Sequence, residues 1–253
     1  QVRPAGWMRA QMRRDLDQGF AGRLDALSPH VANDLFARRL SASGEARAWW
    51  DAESRGHWLW GYLMLSHLAD VPDHARRADA LVQALRATQD ADGYLGIYAS
   101  GLRHSHGGSE NGELWAQSRA LLVLLAHHEL SGDAQSLAAV QAAVRHTRSM
   151  HDPQRPFFGR ERTGQDMTGV THGLCMIDAL QALHEASGDA PAAAFAVELL
   201  DDFDAWPGPF PNDDLAAAAL AEPMRPLHGH AVHTIEHLRA LVWVRGAGSA
   251  AVA

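Results

Sequence analysis

The stretches Leu121-Leu-Val-Leu-Leu-Ala-His-His-Glu-Leu-Ser-Gly-Asp133 and Met176-Ile-Asp-Ala-Leu-Gln-Ala-Leu-His-Glu-Ala-Ser-Gly-Asp189 share one pattern: apolar residues at helical spacing, a glutamate, then Ser-Gly-Asp. Glycine supplies the positive-φ residue that ends one helix, and aspartate caps the next. An earlier copy runs from Leu63 to Asp73 and a later one from Leu241 to Ser249, so the turns recur near 73, 133, 189 and 249. Intervals of about 60 residues are longer than a tetratricopeptide or ankyrin unit, and each holds two helices and a long connection. The pattern predicts helical hairpins joined by loops.

The segments Ala75 to Gln89, Ala134 to Met150 and Pro191 to Phe203 are rich in Ala, Leu and Arg, with apolar residues every three or four positions. Pro191, two residues past a Gly-Asp turn, suits the first turn of a helix. No segment alternates with β-branched residues for long, so little strand is expected. The fold class is all-α, with one additional helix near Gly6 to Gln18. The polar or glycine-rich connections 90–112, 152–171 and 204–229 are longer than ordinary helix links, and in a ring of hairpins they gather at one end and line a cavity.

Composition narrows the function classes. The 253 residues suffice to bury a substantial core, and 47% apolar with 21% charged residues is ordinary globular composition. All 22 basic residues are arginine, against 30 acidic ones, for a net charge of −8. No nucleic-acid partner is expected, because a phosphate-binding face needs a basic excess. The absence of lysine removes Schiff-base and Walker-type lysine chemistry. The longest apolar run, Leu121 to Ala126, is far short of the roughly 20 residues a membrane helix needs. The start, Gln1-Val2-Arg3-Pro4, has no apolar signal core and reads as following a removed segment or a cut. The one cysteine, Cys175, permits no intrachain disulfide and no CxxC metal site, and leaves the compartment open, the cytoplasm being marginally favoured.

Five constellations could carry chemistry. In Glu53-Ser-Arg-Gly-His57-Trp58-Leu-Trp60-Gly61-Tyr62, expected at a helix start, aromatic faces beside His and Arg suit sugar binding, and equally suit core packing. In Asp92-Gly93-Tyr94-Leu95, after a helix, Asp92 and Tyr94 could reach a ligand, or Asp92 could only form a turn. His104-Ser-His106 has a metal-like spacing without a third and fourth ligand, and it leads to Glu113, Trp115 and Arg119 at the start of a helix, where a carboxylate also complements the dipole. Thr168-Gly-Val-Thr171-His172-Gly173-Leu-Cys175 opens another helix; His172 faces a cavity or caps, and Cys175 reads as a small core residue. Last, His233-x-x-Glu236-His237 has the H-x-x-E-H form of inverzincin proteases, but only 16 residues follow His237 and a distal carboxylate ligand is needed. That stretch reads better as His230 entering a helix whose polar face carries His233 and His237.

Arg55-Gly56-His57-Trp58-Leu59, Asp92-Gly93-Tyr94-Leu95, Glu113-Leu114-Trp115, the two Ser-Gly-Asp turns and Gly229-His230-Ala231-Val232, in that order along nearly the whole chain, resemble the DUF1680 family, the β-L-arabinofuranosidases and relatives of glycoside hydrolase families 127 and 146. The resemblance implies an (α/α)6 toroid followed by β-sandwich domains, and retaining removal of terminal β-linked arabinofuranose. In that family a zinc-bound cysteine is the nucleophile, a glutamate is the acid/base, and histidines at toroid helix ends bind sugar. His230 matches one such histidine and His172 another, while Arg119 stands where relatives often have a histidine. The family's acid/base glutamate and zinc ligands lie downstream of the Gly-His-Ala-Val stretch, and Cys175 is out of place to substitute. The resemblance therefore implies no catalytic residue, no metal site and no cofactor in this chain, and a carbohydrate partner.

Residues 1–253 are then expected to form one N-terminal portion of the catalytic domain, with three complete hairpins and the first helix of a fourth, a little over half a ring. The expected sugar-binding residues are His57, Trp58, Asp92, Tyr94, Glu113, Trp115, Arg119, His172 and His230. Two alternatives stand beside this. One is a sugar epimerase or inverting glycosidase using Asp92, Glu113 and His230, with carboxylates about 6.5–9.5 Å apart in the inverting case. The other is a non-catalytic helical-repeat module that self-associates through an open helical edge.

Overall fold

A computed structural model describes residues 3–41, 48–104, 112–152, 173–204 and 231–247, with isolated positions between them. His172, His230, His106 and the turn at Gly248-Ser249 lie outside the described residues. The helices are α1 (Gly6–Asp17), α2 (Phe20–Leu27), α3 (Leu35–Arg38), α4 (Ala48–Leu68), α5 (Pro72–Arg86), α6 (Glu113–Ser131), α7 (Ala134–Ser149), α8 (Met176–Ser187), α9 (Ala190–Asp204) and α10 (Ala231–Leu241). A π-helical segment, Val242–Ala247, continues α10. Among the described residues there is no sheet; Leu40 and Tyr98 form an isolated parallel bridge. The all-α reading holds. No described helix is long and apolar enough to cross a membrane.

The helix α6 is buried on nearly every face from Glu113 to His127. A helix buried on nearly every face belongs in the centre, and α6 packs against α4, α5, α7 and α8. The successive hairpins α4–α5, α6–α7 and α8–α9 lie side by side around it. Close approach of α4 and α6 depends on Gly56, where a Cβ would stand 2.6 Å from Cβ of Arg119.

The elbows form as the repeat predicts. Gly132 and Gly188 adopt φ of 74° and 68°, and their N–H groups donate to the carbonyls of His128 and His184. Asp133 then accepts from the N–H groups of Gln135 and Ser136, both at 3.2 Å, and Asp189 accepts from that of Ala192 at 2.9 Å. The repeat extends further than the Ser-Gly-Asp signature. His128 Nδ1 contacts the carbonyl of Asp133 at 3.0 Å, and His184 Nδ1 contacts that of Asp189 at 3.1 Å. At the earlier copy Asp70, with φ of 54°, takes the glycine position. Pro72 then starts α5, so the break falls slightly before the expected Asp73 because proline is pre-set for a helix first turn.

Two local expectations change. Glu53 to Tyr62 lies within α4 rather than at its start, because the helix already begins at Ala48. His237 does not sit on a polar face: it is buried, its ring 4.8 Å from Phe203, and burial pushes its pKa down. Val232, Ile235 and Leu238 of α10 and Val242 just after it are exposed instead, beside Arg239.

Candidate functional site

The N-terminal halves of α4, α6 and α8 are joined by side-chain contacts that link the helices in order, and the last turn of α10 adds to them through Arg239. The rings of Trp49 on α4 and Trp115 on α6 lie 5.8 Å apart. Gly112 precedes α6 with φ of 57°, and a Cβ there would stand 2.3 Å from Cγ of Trp49, so the junction requires glycine on both counts. Arg119 of α6 approaches Asp178 of α8 at 3.9 Å, and Asp178 accepts an ion pair from Arg239 of α10 at 3.1 Å. Burial raises the Asp178 pKa, against the pull of Arg239 and Arg119. Cys175, just ahead of α8, is buried next to Glu236 of α10; burial and that carboxylate push its thiol pKa far up.

Glu113 is the most perturbed carboxylate of this end. Its side chain is 3% exposed, and burial raises its pKa to about 7. The Tyr94 hydroxyl donates to Oε1 at 2.7 Å and the His104 N–H donates to Oε2 at 2.5 Å. These bonds fasten the 90–104 connection onto the start of α6. Tyr94 is fully buried, and its own pKa rises from burial and from the Glu113 charge. The Arg103 guanidinium lies 3.9 Å over its ring centroid, and the His146 ring 5.6 Å from it.

Of the expected sugar-binding residues, Tyr94, Glu113, Trp115 and Arg119 come together at this end, all of them buried. Asp92 sits beside them in an exposed turn. Its Oδ1 accepts from the Tyr94 N–H at 3.0 Å and its Oδ2 from Arg103 at 3.0 Å. The Tyr94 N–H is the main cause that lowers its pKa, with His146 and Arg103 adding to it. Trp58 is core: its indole N–H donates to the Ala21 carbonyl at 2.9 Å, and its ring stacks on Tyr62. His57 lies apart on an outer face of α4, 3.6 Å from Glu53. His172 and His230 lie outside the described residues.

Sequence reasoning passed over Asp178, Arg239 and Arg103, which complete the charge pattern. Asp178 stands one helical turn after Cys175, but a helix-borne aspartate looks solvent-facing until its partner helix is placed. Among the described residues no three His, Cys, Asp or Glu side chains are arranged to hold a metal ion. The one cysteine of the sequence, Cys175, is buried.

No curated protein matches the chain. Residues 21–217 match a family model described as the β-L-arabinofuranosidase, GH127 catalytic domain, a segment that runs from α2 past the end of α9 and contains the Glu113, Trp115 and Arg119 cluster. The chain therefore belongs to the GH127 β-L-arabinofuranosidase catalytic-domain family.

Proposed function

We propose that this chain forms part of the sugar pocket of a β-L-arabinofuranosidase-like glycoside hydrolase, and that the nucleophile and zinc site of the reaction are supplied from outside it. The family match over residues 21–217 carries the reading. In it, the N-terminal ends of α4, α6, α8 and α10 present the pocket. His172 and His230, at the entries to α8 and α10, contact the sugar hydroxyls. Glu113, Trp115 and Arg119 stand behind them and set the spacing of the helix ends.

The chemistry of the buried groups supports this division. Retaining hydrolysis needs a nucleophile and an acid/base on the two sides of the glycosidic bond. The pKa of Glu113, about 7, suits an acid/base, yet both its oxygens are engaged by Tyr94 and His104 inside the protein. Glu113 is thus a positioning residue that holds a pocket-lining connection in place. The thiol of Cys175 stays protonated and enclosed, which leaves it without nucleophilic character. Asp92 spends its oxygens on its own turn and on Arg103, so an Asp92–Glu113 acid/base pair gains no support.

The test is to titrate the chain with methyl β-L-arabinofuranoside by calorimetry and to incubate it with an aryl β-L-arabinofuranoside. Binding without turnover is expected, weakened by His230→Ala. Turnover at about 1 s⁻¹ or faster, the ordinary enzymatic range, would show that the chain holds its own nucleophile. A wild-type chain that fails to bind the glycoside overturns the pocket.

A second reading, self-association through the open helical edge, is favoured by the exposed apolar row on α10, Val232, Ile235, Leu238 and Val242. Light scattering that gives a monomer at every accessible concentration rejects it.

A further inference from the structure

A cleft of about 1060 Å³ opens between the C-terminal end of α2 and the N-terminal half of α4. None of Glu113, Trp115 and Arg119 lines it, so it is separate from the pocket proposed above. Its wall on α4 is a single helical face, because Trp50, Glu53, Ser54 and His57 stand at positions i, i+3, i+4 and i+7.

Three features of this wall describe its ligand. First, the Trp50 indole lines the cleft and is 41% exposed, and its neighbour Trp49 braces it edge-on at 5.2 Å and 69°. A broad apolar face kept in one orientation is a stacking platform for the C–H face of a sugar ring. Second, two carboxylates flank it: Asp51 Oδ1 is oriented by His30 Nδ1 at 2.7 Å, and Glu53 Oε1 lies 3.6 Å from His57 Nε2, one helical turn on. The second oxygen of each is left to accept from a ligand hydroxyl, and the exposed imidazoles of His30 and His57 supply a donor or acceptor beside it. Third, no arginine is among the described lining residues, and the carboxylates of Asp51 and Glu53 disfavour an anionic ligand.

We propose that this cleft is a second saccharide site, which binds a neutral oligosaccharide by stacking one ring on Trp50 and accepting hydroxyl hydrogen bonds at Asp51 and Glu53. Its volume, at the upper end of the roughly 300–1,000 Å³ of ordinary ligand pockets, accommodates more than one sugar ring. The site places His57, which the sequence nominates for sugar binding, in a cleft of its own and not in the pocket formed by the helix ends. It holds a glycan chain beside the reacting end without touching the reacting bond. The proposal rests on the family reading only for the choice of pentose probes.

The test uses the full chain with 1,5-linked arabinotriose and with xylotriose as probes, followed by isothermal titration calorimetry. At least one trisaccharide is expected to bind, and Trp50→Ala to weaken it about tenfold, the loss of one aromatic contact. Glu53→Gln, which keeps the side-chain volume, is expected to weaken it severalfold. His230→Ala is expected to leave trisaccharide binding at Trp50 unchanged while weakening the monosaccharide glycoside, so the two sites are read separately. Circular dichroism and thermal unfolding establish that each variant folds; if Trp50→Ala does not, Glu53→Gln and His57→Ala decide. A chain that binds neither trisaccharide, or folded variants that bind as tightly as wild type, overturns the cleft. Loss of monosaccharide binding with trisaccharide binding intact overturns the pocket reading and leaves the cleft standing.

Discussion

The two ends of α6 solve the same problem in different ways. At its C-terminal end Gly132 turns the chain and Asp133 caps α7 within a few residues, and the same arrangement recurs at Gly188 and Asp189. At its N-terminal end Gly112 turns the chain too, but Glu113 finds its partner in Tyr94, 19 residues away, and Arg119 faces Asp178 on another helix. The elbow is closed by local hydrogen bonds that tolerate water. The entry end buries charge, and charge buried there is stable only because distant elements bring partners to it. The first arrangement builds the array, and the second ties the entry ends of α6 and α8 to distant elements.

The comparison is sharpest at the two glycines with positive φ. Both Gly112→Ala and Gly132→Ala pay the left-handed backbone penalty of about 1–2 kcal/mol. Nothing lies within 4 Å of a Cβ at Gly132, whereas at Gly112 it meets Trp49 at 2.3 Å. Gly112→Ala is therefore expected to lose about 3–4 kcal/mol, the overpacking included, and Gly132→Ala only the backbone share. Urea midpoints of the two variants measure the gap. Equal losses would show that packing at the entry end is soft and would break the contrast.

The next effect is in pH. Burial raises the Glu113 carboxyl from 4.5 to about 7, so the folded state favours its protonated form. This contribution is fully present below pH 4.5 and is lost as pH rises through about 7. The difference between those values, at about 1.4 kcal/mol per pH unit, is on the order of 3 kcal/mol. Between pH 5 and 8 the wild type should lose stability, and Glu113→Gln should flatten that part of the curve in a pH series of denaturant melts. A slope that persists in Glu113→Gln assigns the titration elsewhere.

The smallest effect compares the elbows with each other. Asp133 caps α7 and also accepts from Arg86 at 2.6 Å and from Ser136 Oγ at 2.8 Å, while Asp189 caps α9 through Ala192. Asp133→Ala is expected to cost about 2 kcal/mol and Asp189→Ala about 1 kcal/mol. Equal losses in thermal melts would mean that the caps, not the ion pair with Arg86, dominate the elbows.

Much of the fold is legible in the sequence because its determinants are local. Helical spacing and the Ser-Gly-Asp turns depend on residues within one or two helical turns of each other, and the α6–α7 and α8–α9 hairpins follow them closely. The site is legible only in part. Glu113, Tyr94 and Trp115 could be nominated by type, but Trp58 and His57 carry the same chemical signature and end up as core and as outer cleft. His237 shows why: its polarity suggests an exposed face, while the packing of α10 against Phe203 buries it. Residue type reports what a side chain can do, and burial decides whether it can do it.

By itself, the sequence determined an all-α array of hairpins, the position of its elbows and the kinship of the chain, because helix periodicity, glycine handedness and aspartate capping act over a few residues. The tertiary structure alone decided which charges pair at the entry end, that Glu113 is a buried tie to Tyr94 and His104, and that Trp50 and His57 share a cleft apart from it. These depend on which helices meet and at what depth, and a side chain's partner, burial and protonation follow from that meeting.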